Sequence, residues 1–236
     1  LDRRAFIKIC STTAAAASIA PCFNTSAQAA ELLTFERVKL VDDAGNTIKA
    51  AQLSTAESCI FNYPYLGTPS FLINLGKSSP GGDQLNTSDG SPYTWRGGVG
   101  SQHTIVAYSA ICAHQLSYPN KEVSFIAYNP NKSEIAGRAG VITCCAHNSV
   151  YDPSTGAKVL SGPAAGPLAA VALEHDSATD ALYATGVYGG QLFDDFFKAY
   201  RTQLNVELGA GKAKQITSGT ATVMLATAYS KMRLQC

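Results

Sequence analysis

Short apolar runs of four to six residues recur along most of this chain, separated by Gly, Pro, Asn and Asp, and long helical patterns are few. Runs of that length between turn residues read as β-strands. Leu32 to Ile48 predicts two short strands around an Asp-Ala-Gly-Asn turn, and Cys59-Ile60-Phe61 and Phe71-Leu72-Ile73 predict two more. Gly76 to Gln102 reads as a long Gly-rich loop. It has no Gly-Lys-Ser/Thr and follows no βα pattern, so it is expected to shape a docking surface rather than cradle a phosphate. Further strands are predicted over Thr104 to Ser109, Val123 to Tyr128, Ala139 to Thr143, Pro167 to Leu173 and Ala181 to Thr185, with a last one within Thr220 to Tyr229.

The period changes at Gln191 to Leu208. Leu192, Phe193, Phe196, Phe197, Tyr200 and Leu204 fall on one helical face. That face either covers the protein's own sheet or docks a larger partner. The expected organisation is therefore an all-β domain over 31–190 and a C-terminal helical extension over 191–236, a candidate docking element.

At 236 residues the chain can bury a core without staples. A net charge of +1, with 15% charged residues, gives no electrostatic case for nucleic acid. Arg3-Arg4 followed by Ala5-Phe6-Ile7-Lys8, an Ala-rich stretch and Ala27-Gln28-Ala29 resembles a twin-arginine export signal with its cleavage site. Residues 1–30 are thus expected to send a folded protein to the periplasm, and to be removed or kept as a membrane tether.

Seven cysteines is an odd count, which a pure disulfide framework does not explain. Two Cys/His pairs stand out among them: Cys112-Ala113-His114 and Cys144-Cys145-Ala146-His147, with the leading cysteines 32 positions apart (144 minus 112). Each pair offers one soft thiolate and one neutral imidazole. Two such turns supply what a [2Fe–2S] cluster needs when two cysteines bind one iron and two histidines the other. A structural zinc site is the alternative, although zinc patterns usually pair cysteine with cysteine. His103 and His175 read as surface histidines, and Cys59 and Cys236 as plain thiols.

The stretch CAH…CCAHNSVYD…SGPA resembles the Rieske signature over roughly Thr104 to Gly186. The resemblance implies an antiparallel β sandwich with a cluster-binding subdomain inserted from Cys112 to about Ala165. It implies Cys112, His114, Cys144 and His147 as ligands of a high-potential [2Fe–2S] cluster. Ser149 would bond a bridging sulfide, Tyr151 a ligand sulfur, and Pro163 would lie in the loop that shields the cluster. Typical members also carry a disulfide between the two cluster loops; here those positions are Ser117 and Ala146, and Cys145 has no partner in the opposite loop. The loops are therefore expected to be held by packing and hydrogen bonds alone.

The role this implies is one-electron relay rather than catalysis on a substrate. Phe61 to Gly76 and Gly98-Val99-Gly100 resemble the region ahead of the first cluster loop in small subunits of arsenite-oxidase-type molybdoenzymes. The partners would then be a molybdopterin subunit and a c-type cytochrome or similar acceptor. Ser149 and Tyr151 also match Rieske subunits of quinol–cytochrome c oxidoreductases, whose partner is a cytochrome b, and other exported respiratory assemblies remain open.

Overall fold

The computed structural model describes residues 32–236; the expected export signal lies outside the described residues. The main sheet has eight strands. Their spatial order is Thr220–Thr222, Leu33–Val41, Ala181–Tyr188, Ala170–Asp176, Ile105–Ser109, Pro69–Asn74, Cys59–Asn62 and Met224–Leu225. All pairs are antiparallel except the first, where Thr220–Thr222 runs parallel to Leu33–Val41.

The two edge strands of this sheet are consecutive in the chain, with only Val223 between them. The sheet therefore curls until its edges meet. The Val223 N–H donates to the Val41 carbonyl at 2.7 Å, and the Ala226 N–H to Ser58 at 2.9 Å. Closing a sheet in this way leaves few unpaired edge groups. The all-β expectation holds, with the facing layers supplied by opposite walls of one curled sheet. Among the described residues no helix is long and apolar enough to cross a membrane.

Cys59–Asn62, Pro69–Asn74 and Ile105–Ser109 are buried along nearly their whole length. Phe61, Leu72, Ile105 and Ala107 enter the main core, while Ile60, Phe71, Ile73, Val106 and Tyr108 enter a second core on the other face. Burial on both faces is why Cys59-Ile60-Phe61 and Phe71-Leu72-Ile73 are continuous apolar runs, and Ile105–Ser109, within a stretch that reads as an alternating strand, is buried on both faces as well. At roughly 1.5–3 kcal/mol per buried large apolar side chain, the second core firmly seats whatever packs on that face.

What packs there is a four-stranded antiparallel sheet, in the order Lys158–Ser161, Ser149–Asp152, Val141–Cys144 and Ile126–Asn129. It is inserted between Ile105–Ser109 and Ala170–Asp176, within the span expected for a subdomain. The predicted strand over Val123 to Tyr128 splits at Phe125. Val123–Ser124 pairs with Met232–Arg233, and Ile126–Asn129 joins the small sheet.

Gly76 to Gln102 contains a hairpin, Gln84–Asn86 with Pro92–Thr94. Its Leu85, Tyr93 and Trp95 are buried in the second core, where Tyr93 stacks on Tyr188 at 4.9 Å. The apolar side of this stretch thus packs internally.

The helical stretch forms two helices, α1 (Leu192–Ala199) and α2 (Arg201–Leu208), separated at Tyr200. Phe193, Phe196, Phe197 and Leu204 all lie in the main core, so the aromatic face covers this chain's own sheet. The rest of 191–236 returns as strands on both edges of the main sheet and beside the subdomain, which makes this segment part of the same fold.

Candidate metal centre

Cys112 and Cys144 each open a turn of the same design. In the first, the Cys112 N–H donates to Ser117 at 2.8 Å and the Leu116 N–H donates back to Cys112 at 3.0 Å. In the second, Cys144 pairs with Ser149 across the hairpin and the Asn148 N–H donates to Cys144 at 2.8 Å. Leu116 and Asn148, each four residues after its cysteine, both adopt φ of 60°. Asparagine tolerates this left-handed conformation better than leucine, and burial of Leu116 against the main core offsets its strain. The two histidines differ by one step, His114 standing two residues after its cysteine and His147 three.

A third loop closes on the second. Gly162 has φ of 91°, and a Cβ there would stand 2.4 Å from the Asn148 carbonyl oxygen and 2.6 Å from the Ser149 Cα. Only glycine fits this backbone against that turn. It brings Pro163, which is exposed, beside the hairpin of His147.

The sulfur end of the site is buried. Cys112 and Cys144 are fully enclosed, and each is a main influence on the other's thiol. The Cys144 thiol is the main influence holding Cys112 below the ordinary thiol range. Burial opposes it, while the Tyr151 hydroxyl and the N–H groups of His114 and Gln115 reinforce it. Cys144 is pushed up by its bond to Cys112 and by burial, although the N–H groups of Ala146 and His147 face its sulfur. A buried thiol pair ringed by N–H and O–H donors is arranged to carry negative charge on sulfur. Tyr151 is fully buried, with its hydroxyl 3.3 Å from the Cys112 sulfur.

The imidazole end lies toward solvent. His114 is half-buried and His147 exposed, and their rings meet edge to face at 4.9 Å. His114 Nδ1 and Ser149 Oγ are both buried with no hydrogen-bond partner. Buried polar atoms in folded proteins are almost always paired, so two such atoms in one site mark places where a bound group supplies the partner. The donor set fits a two-iron cluster: a sulfur pair inside, an imidazole pair outside, a free ring nitrogen and a free hydroxyl between. Among the described residues no three Cys, His, Asp or Glu side chains gather as one group around a single ion.

Among the described residues no disulfide joins the two loops to each other, as expected, but the reading of Cys236 as a plain thiol is overturned. Cys145 is disulfide-bonded to Cys236, 91 positions away. Neither residue is a free thiol, and the second loop is stapled to the C-terminal segment instead of to the first loop. Ser117 and Ala146 indeed provide no bridge between the loops. Pairing over that distance leaves no spacing signal in the sequence.

Tyr118, which no motif in the sequence marks, meets Tyr200 of the helical face next to the first loop. Tyr118, just after the first loop, is buried with its ring edge-on to Phe196 and Tyr200, each at 4.9 Å. Burial raises the Tyr200 phenol, and the charges of Cys144 and Cys112 raise it further. The remaining histidines serve the scaffold: His103 Nδ1 bonds the Gly98 carbonyl at 3.1 Å and His175 Nε2 bonds Asp180 at 2.8 Å. Cys59 stays apart from the site, its thiol pushed up to about 11 by burial and the Glu57 charge.

No family model matches the chain. Among solved structures it is similar to the soluble domain of the Rieske protein II (soxF) from Sulfolobus acidocaldarius, at 26% identity and a TM-score of 0.47. The match covers 65% of this chain and 78% of that one.

Proposed function

We propose that this chain is an electron-transfer subunit whose Cys112, Cys144, His114 and His147 hold a [2Fe–2S] cluster of the Rieske type. The observation that carries the reading is the sorting of four donors into a buried sulfur pair and an outer imidazole pair. A structural zinc would want all four around one point, whereas two pairs suit two irons. When bound, such a cluster accepts and returns one electron at high potential because imidazole ligands keep its net charge low.

The chain's own residues then have distinct tasks. Tyr151 donates a hydrogen bond to the Cys112 sulfur, and the turn N–H groups face both sulfurs, so negative charge at that end is stabilised. Ser149 keeps a buried hydroxyl free for an acceptor in the bound group. Gly162 and Pro163 cover the second turn, and the exposed His147 is the point nearest a visiting redox partner.

The setting we favour is the small subunit of a periplasmic arsenite-oxidase-type molybdoenzyme, exported by the twin-arginine route and passing electrons to a c-type cytochrome or similar acceptor. It is supported by Arg3-Arg4 and by the strand pair Cys59–Asn62 and Pro69–Asn74, which lies beside the strand leading into the first cluster loop. A second reading, the Rieske subunit of a quinol–cytochrome c oxidoreductase, is favoured by the Tyr151–Cys112 contact. Purification from the native membrane and periplasm separates them. Equal iron and acid-labile sulfide with a co-purifying molybdenum subunit supports the first, and a b-type cytochrome in its place supports the second. Zinc without sulfide would defeat both.

A further inference from the structure

We propose that segment 191–236 is a clamp that grips both loops of the metal centre, so that Cys145, Cys236, Tyr118 and Tyr200 act as positioning residues. This rests on reading Cys112, His114, Cys144 and His147 as one site. Such a site needs its donors held to within a fraction of an ångström. Yet each loop is a six-residue turn closed by a few hydrogen bonds, and Ser117 and Ala146 cannot link one to the other.

The grip on the second loop is covalent. Cys145 is bonded to Cys236, and the Cys145 N–H also donates to Phe125 at 2.7 Å. The chain leading to Cys236 is fixed in turn. Met232–Arg233 runs parallel to Val123–Ser124, the Leu234 N–H donates to Ser124 at 3.0 Å, and the Ser133 hydroxyl donates to the Cys236 carbonyl.

The first loop is gripped by aromatic packing. Tyr118 is wedged edge-on against Phe196 and Tyr200, and its hydroxyl donates to the Glu207 carboxylate, at 3.2 and 3.3 Å from its two oxygens. Leu116 packs on the same core. Helices α1 and α2 thus bear on one loop and Cys236 on the other. Between them Thr220–Thr222 and Met224–Leu225 fasten the segment to both edges of the main sheet, so the two jaws share one frame.

The test compares the full chain with C145S/C236S and with Tyr200→Ala. Amide hydrogen exchange of the metal-free proteins reads the clamp independently of any cluster. Loss of the bridge is expected to speed exchange over residues 143–149 about tenfold while residues 112–118 barely change, and Tyr200→Ala to do the reverse, because local opening depends on local restraint. In the loaded protein both variants should broaden the paramagnetic resonance lines of the reduced centre, a change that a remote structural effect would not produce. Equal exchange in the parent and C145S/C236S overturns the clamp, as does a parent whose mass under non-reducing conditions shows no bridge. A parent with normal exchange contrasts but no Rieske-type spectrum would overturn the proposed function and leave the clamp standing.

Discussion

The Tyr151 hydroxyl lies 3.3 Å from the Cys112 sulfur across 39 positions of sequence, and joins the strand of the second Cys/His turn to the cysteine of the first. Burial, with the Cys112 charge adding to it, keeps the phenol protonated, so Tyr151 is the donor. Tyr151→Phe removes a hydrogen bond that is stronger when the sulfur carries more charge. With a differential of about 1 kcal/mol and 59 mV per tenfold for one electron, the midpoint potential should fall by about 40 mV. Protein-film voltammetry of the two proteins measures it, and an unchanged or higher potential would remove Tyr151 from the site.

Gly162 gives a stability prediction. Its positive φ and the 2.4 Å approach to the Asn148 oxygen leave no room for a methyl group. Gly162→Ala should cost about 2–4 kcal/mol, a large value for a single exposed residue, because strain and clash add. The midpoint of urea unfolding reads it directly.

The adjacent cysteines should separate cleanly. Cys144→Ser removes a sulfur from the buried pair and should yield protein without bound iron. Cys145→Ser should keep the iron, because that residue is tied to Cys236 and not to the centre. It should still lower stability by about 2–4 kcal/mol through loss of the bridge. Iron analysis and thermal unfolding together distinguish the two outcomes.

Acid should weaken the fold through its turns. Asp42, Asp176 and Asp180 are held below the ordinary carboxylate range, chiefly by Asn46, Thr179 and the Ala51 N–H respectively. Because the folded pKa lies below the unfolded one, this stabilisation is complete above about pH 4 and is lost as pH falls through the folded values. Asp180→Asn should lower stability on the neutral plateau and make the acid limb of the stability–pH curve shallower, with parent and variant converging at the acid end. Denaturation midpoints across pH 2 to 7 (on the order of one-unit steps) would test it.

Cys59 titrates in the opposite sense. Its thiol is pushed up to about 11 from an ordinary 9.0. The stabilisation from keeping it protonated and buried is complete below the unfolded value and is lost as pH rises through the folded one. Thiol reagents at neutral pH should therefore leave Cys59 unmodified until the protein unfolds, a result that mass spectrometry reports at once.

The two Cys/His turns are legible in the sequence because each pair is local. Cys112 with His114, and Cys144 with His147, each sit within four residues, and the flanking Ser149, Tyr151 and Gly162 carry the same pattern. What escaped depends on distant partners. The Cys145–Cys236 bond spans 91 positions, and spacing says nothing about connectivity at that range. Phe125 divides one apolar run between two sheets, and no Gly or Pro marks the division. The last strand expected within Thr220 to Tyr229 is there, but as two short pieces, Thr220–Thr222 and Met224–Leu225, because two open sheet edges meet at Val223. Helices α1 and α2 part at Tyr200 without a breaker, since Tyr118 and Phe196 pack against that ring. The second core had a plainer signal, the unbroken burial of Phe71-Leu72-Ile73 and Ile105-Val106-Ala107-Tyr108, which promised a covering on both faces.

The central claim is that His114 and His147 both ligate one iron of a cluster whose other iron is held by Cys112 and Cys144. Electron–nuclear double resonance of the reduced protein, grown with isotope-labelled histidine, tests it most directly. The expected result is a Rieske-type spectrum with coupling to two imidazole nitrogens, reduced to one or lost altogether in His147→Ser. A spectrum with no histidine coupling, or no paramagnetic centre at all in iron-replete protein, would contradict it.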